Sequence, residues 1–253
     1  MMSDKNMQGK NVIITGARRG IGRVLLDMFA KNGANIWACI RKEDREFERH
    51  IAELEKLNDI WIKPVCFDLS HEDSIKSGIQ SILKEKKCID ILINNAGISY
   101  GGLATMTPMS SLKDVFQVNY YAPVQIMQLV LRVMMRQKNG CIINMASIGG
   151  IETAPGYLAY GSSKAALIHA TKIISHEVGQ YGIRVNAIAP GLTETDMGNV
   201  KSDDEIHKIL ERSSLHRKAD PVEIANCALF LASEQASFIT GQVLVADGGR
   251  IWV

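Results

Sequence analysis

The sequence predicts an α/β protein: a single domain over 1–253, built as a doubly wound parallel sheet of about seven strands with helices on both faces. Three observations predict it. Apolar strand candidates alternate with helical patterns along the whole chain, an order that implies right-handed crossovers and a covered parallel sheet. A glycine-rich turn separates the first strand from the first helix. The residues able to do chemistry fall at strand carboxyl ends, where open sheets of this kind bind ligands.

Asn11-Val-Ile-Ile-Thr15 reads as a short buried strand, and Gly16-Ala-Arg-Arg-Gly-Ile-Gly22 follows at once. An amphipathic helix over 22–32 then stops at Asn32-Gly33. Glycines let a backbone approach a pyrophosphate, and a helix N-terminus offers amide donors and positive dipole. The spacing Gly-x3-Gly-x-Gly differs from the commoner Gly-x-Gly-x-x-Gly, and the bland alternative is a tight turn. The flanking strand and helix favour the phosphate cradle. A strand over 35–41 and a helix over 43–57 come next, then a strand over 60–67 and a helix over 71–87. Ser70 and Asp73 give that last helix a capping-box-like start. A strand over 89–94 leads into Asn94-Asn-Ala-Gly97. The helical pattern over 110–137 is apolar on most sides (Val124, Ile126, Met127, Leu129, Val130, Leu131, Val133, Met134, Met135), which implies burial on more than one face. A strand over 140–146 ends before Ser147, and a helix over 157–180 carries Tyr160-Gly-Ser-Ser-Lys164. A strand over 183–189 runs into Pro190-Gly191, a polar stretch over about 192–218 follows, and a helix over 221–233 and a strand over 242–246 complete the chain. Gly16, Asp68, Asn94–Gly97, Ser147 and Pro190 therefore converge on one crevice.

Bulk properties exclude several classes. With 46% hydrophobic residues in 253, the chain can bury one substantial core. A net charge of +2 implies no nucleic-acid or acidic-surface field. Cys39, Cys66, Cys88, Cys141 and Cys227 are scattered without metal-ligand spacing, so buried reduced thiols are the expectation and no metal is implied. His169, His176 and His207 read as ordinary helix residues. Residues 1–8 are expected to be flexible, and no apolar stretch approaches the ~20 residues that span a membrane. A cytoplasmic protein without a membrane partner is the expectation.

Tyr160 and Lys164 lie one helical turn apart and share a face. An ammonium roughly 4 Å from a phenol in a partly wet site contributes about 4 kcal/mol favouring phenolate, enough to bring a pKa of about 10 toward neutrality. The bland alternative is a half-buried tyrosine beside an exposed lysine.

With these motifs in view the chain resembles the short-chain dehydrogenases/reductases, from about Gly9 to Gly249, and among them the β-ketoacyl-acyl-carrier-protein reductases. Thr15-Gly16-x3-Gly20-Ile21-Gly22, Asn94-Asn95-Ala96-Gly97, Asn119, Ser147, Tyr160-x3-Lys164, Pro190-Gly191 and Thr195 stand in family order. The resemblance implies a Rossmann-type fold and a catalytic set of Asn119, Ser147, Tyr160 and Lys164. In that set Ser147 and Tyr160 hold a substrate carbonyl, Lys164 grips the nicotinamide ribose, and Asn119 binds a water linking Lys164 to solvent. It implies cofactor contacts from Gly16, Arg18, Arg19, Gly20, Ile21, Gly22, Arg41, Asp68, Leu69, Asn95, Ala96, Gly97, Tyr160, Lys164, Pro190, Gly191, Leu192, Thr193 and Thr195. Asp68 would accept from the adenine amino group, Thr195 would hold the carboxamide, and Asn94 is structural. Ile40 stands where NAD-dependent relatives often carry an acid, while Arg18, Arg19 and Arg41 suit the extra phosphate of NADP(H), with no carboxylate placed to repel it.

The implied reaction is hydride transfer to a ketone, with Tyr160 as proton donor. Substrate contacts are expected from Ser147, Tyr157 and Tyr160, with Tyr100, Ile151 and Glu152 nearby and 192–218 as a lid. A 3-oxoacyl thioester is the first expectation, with Arg132, Arg136 and Lys138 offering part of a basic rim for an acyl carrier protein. Tyr181 departs from the basic residue such reductases often have there, so a free sugar, steroid or polyol is the alternative. A non-catalytic cofactor-binding sensor is a third reading, opposed by the complete catalytic set. The family also implies a homotetramer, with helices 110–137 and 157–180 pairing across one two-fold axis and Arg250-Ile-Trp-Val253 packing across another.

Overall fold

The computed structural model describes residues 6–195 and 203–250. Seven parallel strands form one sheet in the order β3-β2-β1-β4-β5-β6-β7. They are β1 (Asn11–Thr15), β2 (Asn35–Ile40), β3 (Ile62–Cys66), β4 (Ile91–Asn94), β5 (Gly140–Met145), β6 (Ile183–Pro190) and β7 (Val243–Ala246). All seven fall within a few residues of the strands read from the sequence. The central strands read as continuous apolar runs because both faces are covered. In β1, Val12 and Ile14 point to one core and Ile13 to the other; in β2, Ile36, Ala38 and Ile40 oppose Trp37 and Cys39. The first core is closed by α1 (Gly20–Lys31), α2 (Arg45–Asn58) and α8 (Pro221–Ala232) through Leu25, Phe29, Phe47, Ile51 and Ile224. The second is closed by α3 (Glu72–Lys84), α5 (Ala122–Gln137) and α6 (Leu158–Val178) through Ile75, Ile79, Val130, Met134 and Leu167. The strand order reverses between β1 and β4, and the crevice of such a sheet opens there.

Several local expectations are corrected. The pattern over 110–137 is not one helix: α4 (Met109–Phe116) passes through a π-helical turn, Gln117–Tyr121, into α5. Pro123 has no N–H to offer the carbonyl of Asn119, so the α-helical ladder is broken there. The anticipated cap of α3 by Ser70 and Asp73 does not form. His71 occupies the N-cap without a side-chain bond, and Ser70 instead donates its N–H (2.9 Å) and Oγ–H (2.6 Å) to Asp68 Oδ1. The polar stretch over 192–218 contains a helix, α7 (Asp203–Glu211), whose amphipathic character was lost in the surrounding charge. Within the amino-terminal residues expected to be flexible, Met7 is buried and its N–H bonds to Asn32 O. Cys39 and Cys141 are buried thiols, whereas Cys66 and Cys88 are exposed. Cys66 is exposed because β3 is an edge strand. Burial pushes Cys39 far above the ordinary thiol range and Cys141 up to about 11.

Candidate active site

The glycine turn meets the loop after β4 at the switch point. Gly16 adopts a positive φ of 68°, which L side chains avoid, and a β-carbon there would lie 2.9 Å from Ala96 Cα. A β-carbon on Gly22 would lie 2.0 Å from Gly16 O, so the helix enters against its own turn. Thr15 Oγ1 accepts from Asn95 N (3.0 Å) and Ala96 N (3.1 Å), and Asn95 Nδ2 donates to Thr15 O (3.0 Å) and more weakly to Gly16 O (3.3 Å). Asn95, Ala96 and Gly16 are thus held as one unit. Thr15 does the holding, a role the sequence reading missed although a hydroxyl at the end of β1 was there to find. The N-terminus of α1 carries no side-chain cap, leaving its first amides for an anion. This uncapped, glycine-lined cradle fits a dinucleotide pyrophosphate. Asn94, read as structural, donates to Asn144 Oδ1 (2.8 Å) in a buried chain that continues to Thr171.

The catalytic set comes together at the carboxyl ends of β4 and β5. Ser147 follows β5 and N-caps a short 3-10 turn, Ile148–Gly150, accepting from Gly149 N at 3.1 Å. That turn lies directly on α6, since a β-carbon at Gly150 would stand 2.7 Å from the Lys164 carbonyl carbon. Burial raises the Tyr160 phenol above its ordinary value, with a Ser147 hydrogen bond pulling it down and Tyr157 pushing it up. Lys164 is 4% exposed, donates to Met145 O at 2.8 Å, and stands 5.9 Å from the Tyr160 ring centroid. Burial lowers its pKa to about 8. The shift toward phenolate expected from the sequence is reversed: burial outweighs the Ser147 hydrogen bond, and the phenol is held neutral. Asn119 sits in the π turn, where Oδ1 accepts from Ile98 N (2.9 Å) and Nδ2 donates to Ile98 O (2.9 Å) and Ser163 Oγ (3.1 Å). Its side chain clamps the loop after Gly97.

The flanking positions divide. Pro190 ends β6 and Gly191 N bonds to Ala246 O, while Leu192 O accepts from Ala219 N (2.9 Å) and Thr193 bridges Ala219. Thr195 lies against the glycine turn, 3.5 Å from where a Gly20 β-carbon would be. Asp68 is held below the usual carboxylate range, first by the Ser70 hydroxyl and then by the Ser70 amide, with Arg41 adding a smaller pull. Leu69 packs at the edge of the second core and its carbonyl accepts from Gln117 Nε2. Ile40 is buried and presents nothing to the crevice, while Arg41 is exposed beside it. Arg18, however, is paired with Asp44, so a carboxylate does stand near the expected phosphate position.

On the substrate side, Gly102 bridges Tyr157, bringing the loop with exposed Ile98, Leu103 and Met106 against the Tyr157–Tyr160 pair, whose centroids are 6.3 Å apart. Glu152 turns away from solvent: it is 14% exposed and pairs with Arg250 (2.6 Å) and Arg212 (3.3 Å). Both partners escaped the sequence reading because they lie far from Glu152 along the chain. Arg136 and Lys138 close α5 beside Gly140, the amino end of β5, while Ser147 follows its carboxyl end. They therefore sit at the opposite end of the sheet from the catalytic set and form no rim to it in this subunit. Among the described residues no group of three or more His, Cys, Asp or Glu could hold a metal ion, and no helix is long and apolar enough to cross a membrane.

A dinucleotide-type cradle facing a Ser–Tyr–Lys cluster across one crevice defines a Rossmann-type oxidoreductase site. The comparisons agree. A family model described as enoyl-(acyl carrier protein) reductase matches residues 16–250. The chain is 38% identical over 245 residues to the 3-oxoacyl-[acyl-carrier-protein] reductase of Chlamydia muridarum, covering 95% of this chain and 96% of that protein. It is 36% identical over 246 residues to the corresponding reductase of Thermotoga maritima, covering 97% and 99%. A crystal structure of a Brucella melitensis 3-oxoacyl-[acyl-carrier protein] reductase superimposes with a TM-score of 0.89 at 29% identity, covering 97% of this chain and 92% of that one. A second, with bound NAD, gives 0.88 at 29% identity and the same coverage. The chain belongs to the short-chain dehydrogenase/reductase family.

Proposed function

We propose that the protein is an NADP(H)-dependent cytoplasmic reductase that converts a ketone, foremost a 3-oxoacyl thioester, to a secondary alcohol. The observation that carries this reading is the convergence of Ser147, Tyr160 and Lys164 beside an apolar apron of Ile98, Leu103, Met106 and Ile151. When bound, the dinucleotide supplies the hydride. Ser147 and Tyr160 donate to the carbonyl oxygen as charge develops on it, which is stabilisation by placed donors. Tyr160 begins as a neutral phenol, the state a proton donor needs, and passes its proton to that oxygen. Lys164, anchored on Met145 O, has further N–H donors for the nicotinamide ribose and the phenolate left behind. Because Glu152 is neutralised by two arginines, it no longer argues against an acyl thioester.

The two kinds of relative name different reductions, of an enoyl and of a 3-oxoacyl group. A hydroxyl and a phenol aimed at one oxygen suit the carbonyl. An NADPH-oxidation screen over acetoacetyl and crotonyl thioesters, diketones and keto sugars tests this. The acetoacetyl thioester should turn over fastest. Faster turnover of crotonyl thioester would move the reading to an enoyl substrate, and of a keto sugar to a free ketone.

The NADP reading rests on Arg41 following Ile40, with Arg18 and Arg19 in the turn. Arg41→Ala is expected to weaken NADPH by about tenfold or more, as loss of a charge-assisted hydrogen bond of ~1.5–3 kcal/mol requires, with little change for NADH. Titration with both cofactors checks it, and equal losses would remove Arg41 from the phosphate site.

A homotetramer is also proposed. Met109 at the start of α4, Tyr121 at the end of the π turn, and Leu158 and Ile173 on α6 expose apolar surface, as do Phe230, Phe238 and Val245 near the β7 edge. Ile251–Val253, expected to pack across the second axis, lie outside the described residues. Light scattering on the eluting protein should give four times the 27.9 kDa chain mass; a monomer would refute the assembly.

A further inference from the structure

Asp44 performs two tasks at the adenosine end of the crevice. It is the N-cap of α2, with Oδ1 accepting from Glu46 N and Phe47 N at 3.0 Å each. Its other oxygen takes Nε of Arg18 at 2.5 Å. The pair joins the glycine turn to the loop after β2, the two segments that flank the expected ribose phosphate. Arg18 keeps 61% of its side chain exposed, whereas Asp44 is only 19% exposed and fixed by the helix. The carboxylate is thus a stationary negative charge, and the guanidinium is the mobile partner. In the same two segments lie Arg19, Arg41 and Lys42 as cations and Glu43 as an anion, and Asp68 is near enough to Arg41 to feel its charge.

The fork of Arg18 cannot present its Nε edge to Asp44 and to a phosphate at once. A phosphate drawn to Arg18 and Arg41 can still reach the Nη donors of Arg18, but it shares that guanidinium's charge with Asp44 and meets the carboxylate's own charge. A dinucleotide without that phosphate does neither. We infer that Asp44 sets cofactor specificity: it moors Arg18 in the free enzyme and, by competing with the 2′-phosphate, narrows the preference for NADPH over NADH. This rests on the NADP reading above. It differs from the usual acid at the end of the second strand, because that position here is Ile40, buried in the core.

Asparagine caps helices as well as aspartate does, so Asp44→Asn separates the charge from the cap. Binding of NADPH, NADH and the probe 2′,5′-ADP would be measured calorimetrically for wild type, Asp44→Asn, Arg18→Ala and the double variant. Asp44→Asn should tighten NADPH and 2′,5′-ADP by about threefold to tenfold, the scale of one partly screened charge acting on a phosphate, and leave NADH unchanged. The gain should shrink in the Arg18→Ala background, where only the direct repulsion by the carboxylate remains. An unchanged NADPH-to-NADH ratio in Asp44→Asn, or a gain undiminished by loss of Arg18, would overturn the proposal. A wild type with no preference for NADPH would instead overturn the cofactor reading, and a preference newly created by Asp44→Asn would still uphold the role of Asp44.

Discussion

Tyr160→Phe should lower the reductive rate by about a hundredfold or more while NADPH binds almost as before. The substitution removes one proton and one oxygen from a ring that is already packed against Tyr157. General acids at positioned sites contribute about 10²–10⁴ in rate. The effect should fall on kcat, because the donor matters most once charge develops on the carbonyl oxygen. Steady-state kinetics together with cofactor titration check it. A variant retaining more than about one hundredth of the rate would deprive Tyr160 of its role as acid.

Lys164→Met is the second large effect, and it divides function from stability. The ammonium is 4% exposed with Met145 O as a bonded partner, so loss of charge should weaken NADPH binding by about tenfold or more and slow turnover as well. Stability should move the other way. The folded pKa of about 8 lies below the ordinary lysine value of 10.5, so the unfolded chain holds the proton more tightly. Wyman linkage then makes native stability rise with pH between about 8 and 10.5, as the penalty for burying the charge is relieved. Below about 8 the penalty is fully present. Lys164→Met should erase this limb of the stability profile and unfold no earlier than wild type at neutral pH. Denaturant midpoints across the range decide it; a limb that persists in the variant would assign the titration elsewhere.

The fold was legible because both of its signals are local. Short continuous apolar strands and the strand–glycine–helix order can be read from neighbouring residues, and the catalytic spacing of Ser147, Tyr160 and Lys164 survives projection onto one dimension. What escaped depends on distance in sequence or on burial. Asp44 meets Arg18, and Glu152 meets Arg250, only after the strands are aligned. The sign of the Tyr160 shift escaped for another reason. A spacing of four residues shows that an ammonium is near but not how dry the site is, and dryness here favours the neutral phenol. The π turn at Asn119 was similarly hidden, since Pro123 in a helical pattern announces a break without saying where the freed side chains go.

The most direct measurement is the oxidation of NADPH by the wild-type protein in the presence of an acetoacetyl thioester, followed across pH. The proposed mechanism predicts turnover at neutral pH with 3-hydroxybutyryl thioester as product, and a decline above about 8 as Lys164 loses its proton. Saturating NADPH binding without turnover of this or any other ketone would contradict it and leave a cofactor-binding protein that does not catalyse.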